Sequence, residues 1–185
     1  MANVKGAAWL CNYDYFLKLG GPEGMQRVKA ALKPEDQNIL NTLILPSTWV
    51  DWGFLMRFKI LADKLLGKGD SYHVKQASIY TAQQALGGIH RVFIKLATPQ
   101  FIIARTGQIW RQYYDCGTAE VVKQTKTGGT LMLGGMPDIP LYHEMDNLPY
   151  MEEALRMSGS KKVTSTQSKC MARGDDCCLL EFTWA

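Results

Sequence analysis

No stretch of this sequence approaches the roughly 20 consecutive apolar residues that a membrane-spanning helix needs, so no membrane span is expected. No secretory leader is expected either: Lys5 interrupts the N-terminus, and Gly6 to Cys11 is too short for an apolar h-region. Clustered basic charge is scarce. The net charge is only +4, and the tightest basic pair is Lys161-Lys162. Nucleic-acid binders gather their charge on one face, so nucleic acid is not an expected partner. The common fingerprints of catalysis are absent as well: there is no G-x-S-x-G, no P-loop, and no G-x-G-x-x-G after a strand. A Cys-His nucleophile pair forms in space rather than in sequence, and no particular pair is indicated. An enzyme is therefore not expected. The chain shows no internal repeat and no low-complexity segment.

What is present fits one globular domain over 1–185. Of the 185 residues, 46% are hydrophobic and 21% charged, which excludes a disordered chain. At this length roughly 70% of the unfolded surface can be buried, so the core needs no covalent staples. Five cysteines without a leader point to reduced thiols and a cytoplasmic location.

The hydrophobic period changes near residue 115. Residues 1–115 read as mainly helical. Lys5 to Leu10 has the look of a short strand. Asn12 is placed to cap "NYDYFLKLGG", and Pro22 and Pro34 suit the first positions of two more helices. Ser47 or Thr48 is placed to cap "WVDWGFLMRFKILADKLLG", whose Trp49, Trp52, Met56, Ile60 and Leu61 share one broad face. Asp70 or Ser71 opens the next helix, "IHRVFIKLA" follows, and a helix runs from about Pro99 to Tyr114. Residues 116–185 read as β-β-α-β-β. "TAEVVKQTKTGGTLMLGG" gives two strands joined at Gly128-Gly129. "LYHEMDNLPYMEEALRMSG" gives a helix whose first part is broken by Pro149. "KKVTSTQSKC" and "CCLLEFTW" give two strands linked by Gly174-Asp175-Asp176. The expected fold is α+β, with an N-terminal helical layer on a four-stranded antiparallel sheet and a pocket between helices and sheet.

Three of the five cysteines fall in "KCMARGDDCC", residues 169–178. Zinc takes four ligands from Cys, His and carboxylate. Cys170 and Cys178, on adjacent strands, are the first two candidates. Cys116 is a third, and His143 or Glu144 a fourth. The spacing is not C-x-x-C, so three readings stay open: buried small hydrophobes, a metal site, or a redox pair. Strand alternation turns Cys178 inward with Leu180 and Phe182, and Cys177 outward.

"RTGQIWRQYYDCG", "ALRMSGSKKV" and "CMARGDDCCLLEFTW", in that order, resemble the 4-vinyl reductase type of small-molecule-binding domain. They also resemble a bacterial paralogous family of about this length that shares its C-terminal half. A wider group includes the haem nitric-oxide-binding domains and the TRAPP vesicle-tethering subunits. The likeness is strongest from Arg105 to Trp184. It is looser before that, through "VKGAAWL", the first Gly-Gly pair and "STWVDWGFL". The resemblance implies a helical layer on an antiparallel sheet, often dimeric, that binds a hydrophobic small molecule and passes the state to a partner. In phenol-sensing members cysteines and a glutamate near this hairpin hold a structural zinc. Here the acidic position is Gln167, a departure that weighs against that ligand set. Related haem domains need a histidine ligand and a Tyr-x-Ser-x-Arg motif. The motif is absent, and of His73, His90 and His143 only His90 lies in a suitable apolar segment. Haem is accordingly not expected.

Aromatic residues are concentrated before residue 115, and Met56, Met132, Met136, Met145 and Met151 add adaptable apolar surface. Most serve the core, but Trp49, Trp52, Phe101 and Trp110 are the residues expected to line a ligand pocket. The resulting expectation is a sensory or regulatory domain that binds a hydrophobic small molecule. It would act as a homodimer or on a separate signalling protein. The rivals are a ligand-free interaction scaffold like the trafficking subunits, and a tetrapyrrole-modifying enzyme.

Overall fold

The computed structural model describes residues 2–87, 94, 97–135 and 142–185. "IHRVFIKLA", with His90, falls almost wholly outside the described residues.

A short strand, β1 (Asn3–Lys5), runs straight into the long helix α1 (Gly6–Ala31). The strand expected over Lys5 to Leu10 is thus mostly helix. Gly6 makes this possible, because a Cβ there would lie 2.1 Å from the Leu45 carbonyl oxygen. Asn12 is therefore not a cap but a buried residue inside the helix. The helix breaks at Gly21, whose φ of 63° is a conformation that glycine adopts freely, and Pro22 restarts it. α2 (Pro34–Leu40) follows, and β2 (Trp49–Asp51) pairs antiparallel with β1. α3 (Trp52–Leu66) is capped not by Ser47 or Thr48 but by Asp51, whose carboxylate accepts from the Gly53 and Phe54 N–H groups. Arg57 donates to buried Asp36 from two nitrogens, at 3.0 and 2.6 Å, and ties α2 to α3. α4 (Tyr72–Leu86) and α5 (Pro99–Tyr113) complete the helical part, the latter capped by Thr98.

The second part follows the expected order. β3 (Thr118–Gln124) and β4 (Gly128–Gly134) form a hairpin. Its turn is 125–127, and the glycine pair opens β4 instead of making the turn. A five-residue π-helical turn (His143–Asn147) leads into α6 (Leu148–Met157). β5 (Val163–Lys169) and β6 (Cys178–Trp184) finish the chain. The four-stranded sheet is antiparallel in the order β3-β4-β6-β5.

One face of this sheet is apolar. Leu131 pairs with Leu180, and Leu133 with Cys178. All four are buried, as are Phe182 and Trp184 further along β6. α5 and α6 cover that face. Ile103 of α5 and Leu155 of α6 join the same buried cluster, which continues through Trp9, Phe16, Phe54 and Phe58 of the N-terminal helices. Asn3 anchors β1 to the end of α5: its backbone N–H donates to Asp115 at 2.7 Å. No helix among the described residues is long and apolar enough to cross a membrane.

Candidate ligand cavity and thiol–imidazole cluster

A cavity of about 190 Å³ opens among α1, α4, α5 and α6. Ala8, Cys11 and Asn12 of α1 form one wall, and Thr81 and Ala85 of α4 another. Thr106, Trp110 and Tyr113 of α5 face Asp146, Asn147 and Tyr150 from the π-helical turn and α6. No residue of β3–β6 lines it. The pocket expected between helices and sheet is therefore a pocket between helices. The reason is packing: α5 and α6 fill the apolar sheet face with side chains.

Of the four aromatic residues expected to line it, only Trp110 does so. Its indole N–H donates to the Cys116 carbonyl at 3.0 Å, which fixes the ring. Trp52 is fully buried beside the cavity, against Trp110, Tyr114 and Tyr142, and is core. Trp49 is 43% exposed. It lies on β2 beside inward-facing Val50, so alternation sends it out, where the Lys5 ammonium sits 3.7 Å from its ring. Phe101 is 49% exposed, with Arg105 over its ring, because Ile102 and Ile103 take the inward face of α5.

The polar part of the wall was not legible beforehand. Asp146 receives the ammonium of buried Lys59 and the Ser78 hydroxyl, and Lys59 also donates to Ser78 at 2.7 Å. Burial holds the Lys59 amine below its usual range, and Asp146 opposes that shift. Asn147 donates to the Tyr142 hydroxyl at 3.2 Å, which donates in turn to the Tyr114 hydroxyl at 3.0 Å. Burial raises the phenols of Tyr114, Tyr142 and Tyr150, so all three keep their protons.

At the other end of the π-helical turn, His143 meets the terminal hairpin. Ligand atoms of His143, Cys170 and Cys178, all buried, lie within 4.8 Å of one another. His143 Nε2 is 3.3 Å from Cys178 Sγ, and the Met171 N–H donates to that sulfur at 3.2 Å. Burial, helped by Arg173, pushes His143 down to about 4, so the imidazole is neutral at pH 7, the form that ligates metals. The expected third ligand, Cys116, is not in this cluster. It follows α5, where its carbonyl is engaged by Trp110. Glu144 faces Arg173 at 3.8 Å instead. Gln167, whose Nε2 is buried without a partner, lines a small cavity with His143 and Cys170.

No protein-family model matches the chain, and neither does any curated protein. Solved structures do match. An Fe(II) unliganded H-NOX protein mutant from K. algicida superposes with a TM-score of 0.71 at 9% identity, over 98% of this chain and 96% of that one. An H-NOX protein from S. oneidensis in the Fe(II)NO state gives 0.69 at 12% identity, over 98% and 99%. The H-NOX domain from Shewanella oneidensis in the Fe(II)CO state gives 0.71 at 13% identity, over 98% of both chains. A further match concerns haem distortion in the H-NOX family.

These structures correct the expectation against haem: the architecture is one that haem proteins use. The described wall of this cavity contains no histidine. His73 hydrogen-bonds Tyr15 at 2.8 Å and His143 belongs to the hairpin cluster, while His90 lies outside the described residues. The described wall thus supplies no axial imidazole for haem. At 9% to 13% identity the likeness is one of architecture, and the chain has the fold of the H-NOX proteins.

Proposed function

We propose that this chain is a sensory domain that binds a hydrophobic small molecule in the cavity among α1, α4, α5 and α6 and signals to a partner protein or a second copy. The observation that carries the reading is the cavity itself: an apolar and aromatic wall with a few placed polar groups is the usual build of a ligand site. An apolar cavity of about 150 Å³ takes up benzene, so this one suits a molecule of one or two rings. Four separate elements meet around it, so a ligand that prefers one spacing of those elements shifts the population toward that arrangement. The H-NOX fold of the solved structures and the resemblance of the hairpin to 4-vinyl reductase-type domains support the same reading.

Native mass spectrometry of the protein as purified, set against its denatured mass, tests it. A retained organic mass that disappears in Ala85→Leu supports the reading, and a haem mass with a Soret band identifies the ligand as a tetrapyrrole. A bare chain that also binds no apolar probe in calorimetry overturns it.

We further infer that His143, Cys170 and Cys178 hold a divalent metal such as zinc. Three N and S donors from buried side chains suit zinc, and a three-residue set leaves one position to solvent. Burial raises the Cys178 thiol above its ordinary range, and the Met171 N–H aimed at its sulfur opposes that rise. Elemental analysis after zinc addition and removal of excess metal is the test. One zinc per chain, lost in His143→Ala and in Cys170→Ser, is the expected result. No retained zinc in the unaltered protein leaves the cysteines as packing residues.

A further inference from the structure

Two buried polar atoms of residues that line the cavity have no partner, and both are hydrogen-bond acceptors. Asn12 is 2% exposed. Its Nδ2 donates to the Ala8 carbonyl at 2.8 Å. A carbonyl only accepts, so the amide cannot be turned round, and Oδ1 is left buried without a partner. Asn147 repeats the arrangement on the opposite side. Its Nδ2 donates to the Tyr142 hydroxyl, whose own proton goes to Tyr114, and Asn147 Oδ1 is likewise buried and unpartnered. Both asparagines line the cavity. The two threonines there have used their protons on their own helices, Thr81 on Ala77 and Thr106 on Ile102, and so offer lone pairs. Asp146 accepts as well, and its charge is matched by Lys59. Cys11, Gln84, Tyr113, Tyr114 and Tyr150 are the groups of the described wall able to donate.

An orphaned buried acceptor is destabilising, because it has lost its bonds to water without replacement, and folded proteins leave few of them. We propose that the ligand is an uncharged, largely apolar molecule that carries N–H or O–H donors, which Asn12 Oδ1 and Asn147 Oδ1 receive. The inference rests on the ligand-binding reading of this cavity and adds the chemical class. With the Asp146 carboxylate already paired with Lys59, the described wall offers no free charge to hold an ionised ligand. A purely hydrocarbon ligand would leave both acceptors unpaired.

Calorimetric titration of the full chain with matched pairs tests this: indole against benzofuran, and naphthol against naphthalene. Indole and benzofuran share size and shape, and naphthol adds only a hydroxyl to naphthalene, so each pair differs chiefly in the donor. The donor-bearing member is expected to bind about tenfold tighter or more, the range that one satisfied buried acceptor gives. In Asn12→Leu the preference should shrink toward unity while benzofuran binding is kept. Should that variant fail to fold, Asn147→Leu makes the same comparison. Equal affinity within both pairs, as when water satisfies the acceptors, overturns the donor requirement and leaves the cavity reading intact. So does a preference that persists undiminished in the folded variants. If no member of either pair binds, the cavity reading fails and the inference fails with it.

Discussion

Lys59 and Asp146 form an ion pair across 87 positions of sequence, and the Lys59 side chain has no exposed surface. Ser78 bonds both partners, so the ammonium is held by a carboxylate and a hydroxyl in place of water. Removing one member of such a pair strands the other. Asp146→Asn is expected to destabilise the fold by about 3–5 kcal/mol. The Lys59→Met and Asp146→Asn double variant should recover much of that loss. Urea denaturation of the two single variants and the double variant checks this. Additive losses would show that the pair is not coupled.

Ala85 faces the cavity from α4. A leucine there enters empty space instead of a packed core, so the usual overpacking cost is avoided. Ala85→Leu should leave thermal stability unchanged or slightly raised. It should weaken binding of indole by about tenfold or more, or ~1.4 kcal/mol. Loss of stability with unchanged binding would place the ligand elsewhere.

Gly107 lies inside α5, where a glycine ordinarily weakens a helix by about 1 kcal/mol relative to alanine. Its place is explained by contact with the sheet: a Cβ would come within 2.5 Å of the Ala119 carbonyl oxygen on β3. Gly107→Ala is therefore expected to destabilise by about 1–3 kcal/mol despite its better helix propensity. A stabilised variant in urea denaturation would mean that α5 can lift from β3 at no cost.

The hairpin thiols differ in access. Cys177 is half-buried, whereas Cys170 and Cys178 are buried. Among these three, iodoacetamide should modify Cys177 first, as read by peptide mapping. The thiolate is the reacting form. Desolvation and then Asp176 raise the Cys177 thiol above its ordinary 9.0, so thiolate is scarce at neutral pH. Its modification rate should climb with pH until the pH passes that raised value, and level off above it. Equal labelling of Cys178 in the native protein would show that the hairpin opens.

The C-terminal half was the more legible part of this chain. Strand alternation in "CCLLEFTW" puts Cys178, Leu180 and Phe182 on one face, and all three are buried. The N-terminal half was read less well because its signals compete. Asn12 has the residue type of a helix cap, yet α1 starts six positions earlier, at a glycine selected by its contact with Leu45. Trp49 fits a helical stripe with Trp52 and Met56, but Asp51 starts the helix later and leaves Trp49 on a strand. A pocket lined by Trp110 was expected, but its polar wall escaped the sequence reading because it is drawn from α1, α4, α5 and the π-helical turn, whose meeting is a matter of tertiary packing. His143 lay among the candidate ligands, but only the fold chooses it over Cys116, since 35 positions separate it from Cys178.

The π-helical turn has a consequence for how the two sites can vary. Within five residues it presents His143 to the hairpin and Asp146 and Asn147 to the cavity. Such turns hold a helix wider than its normal winding. Deleting one residue would restore ordinary winding and swing the following side chains by about 100° relative to His143. Both neighbourhoods could not then keep their residues in place. Single substitutions can retune either site independently, but a change of length here would reset both at once, so insertions and deletions in 143–147 should be among the least tolerated in the chain.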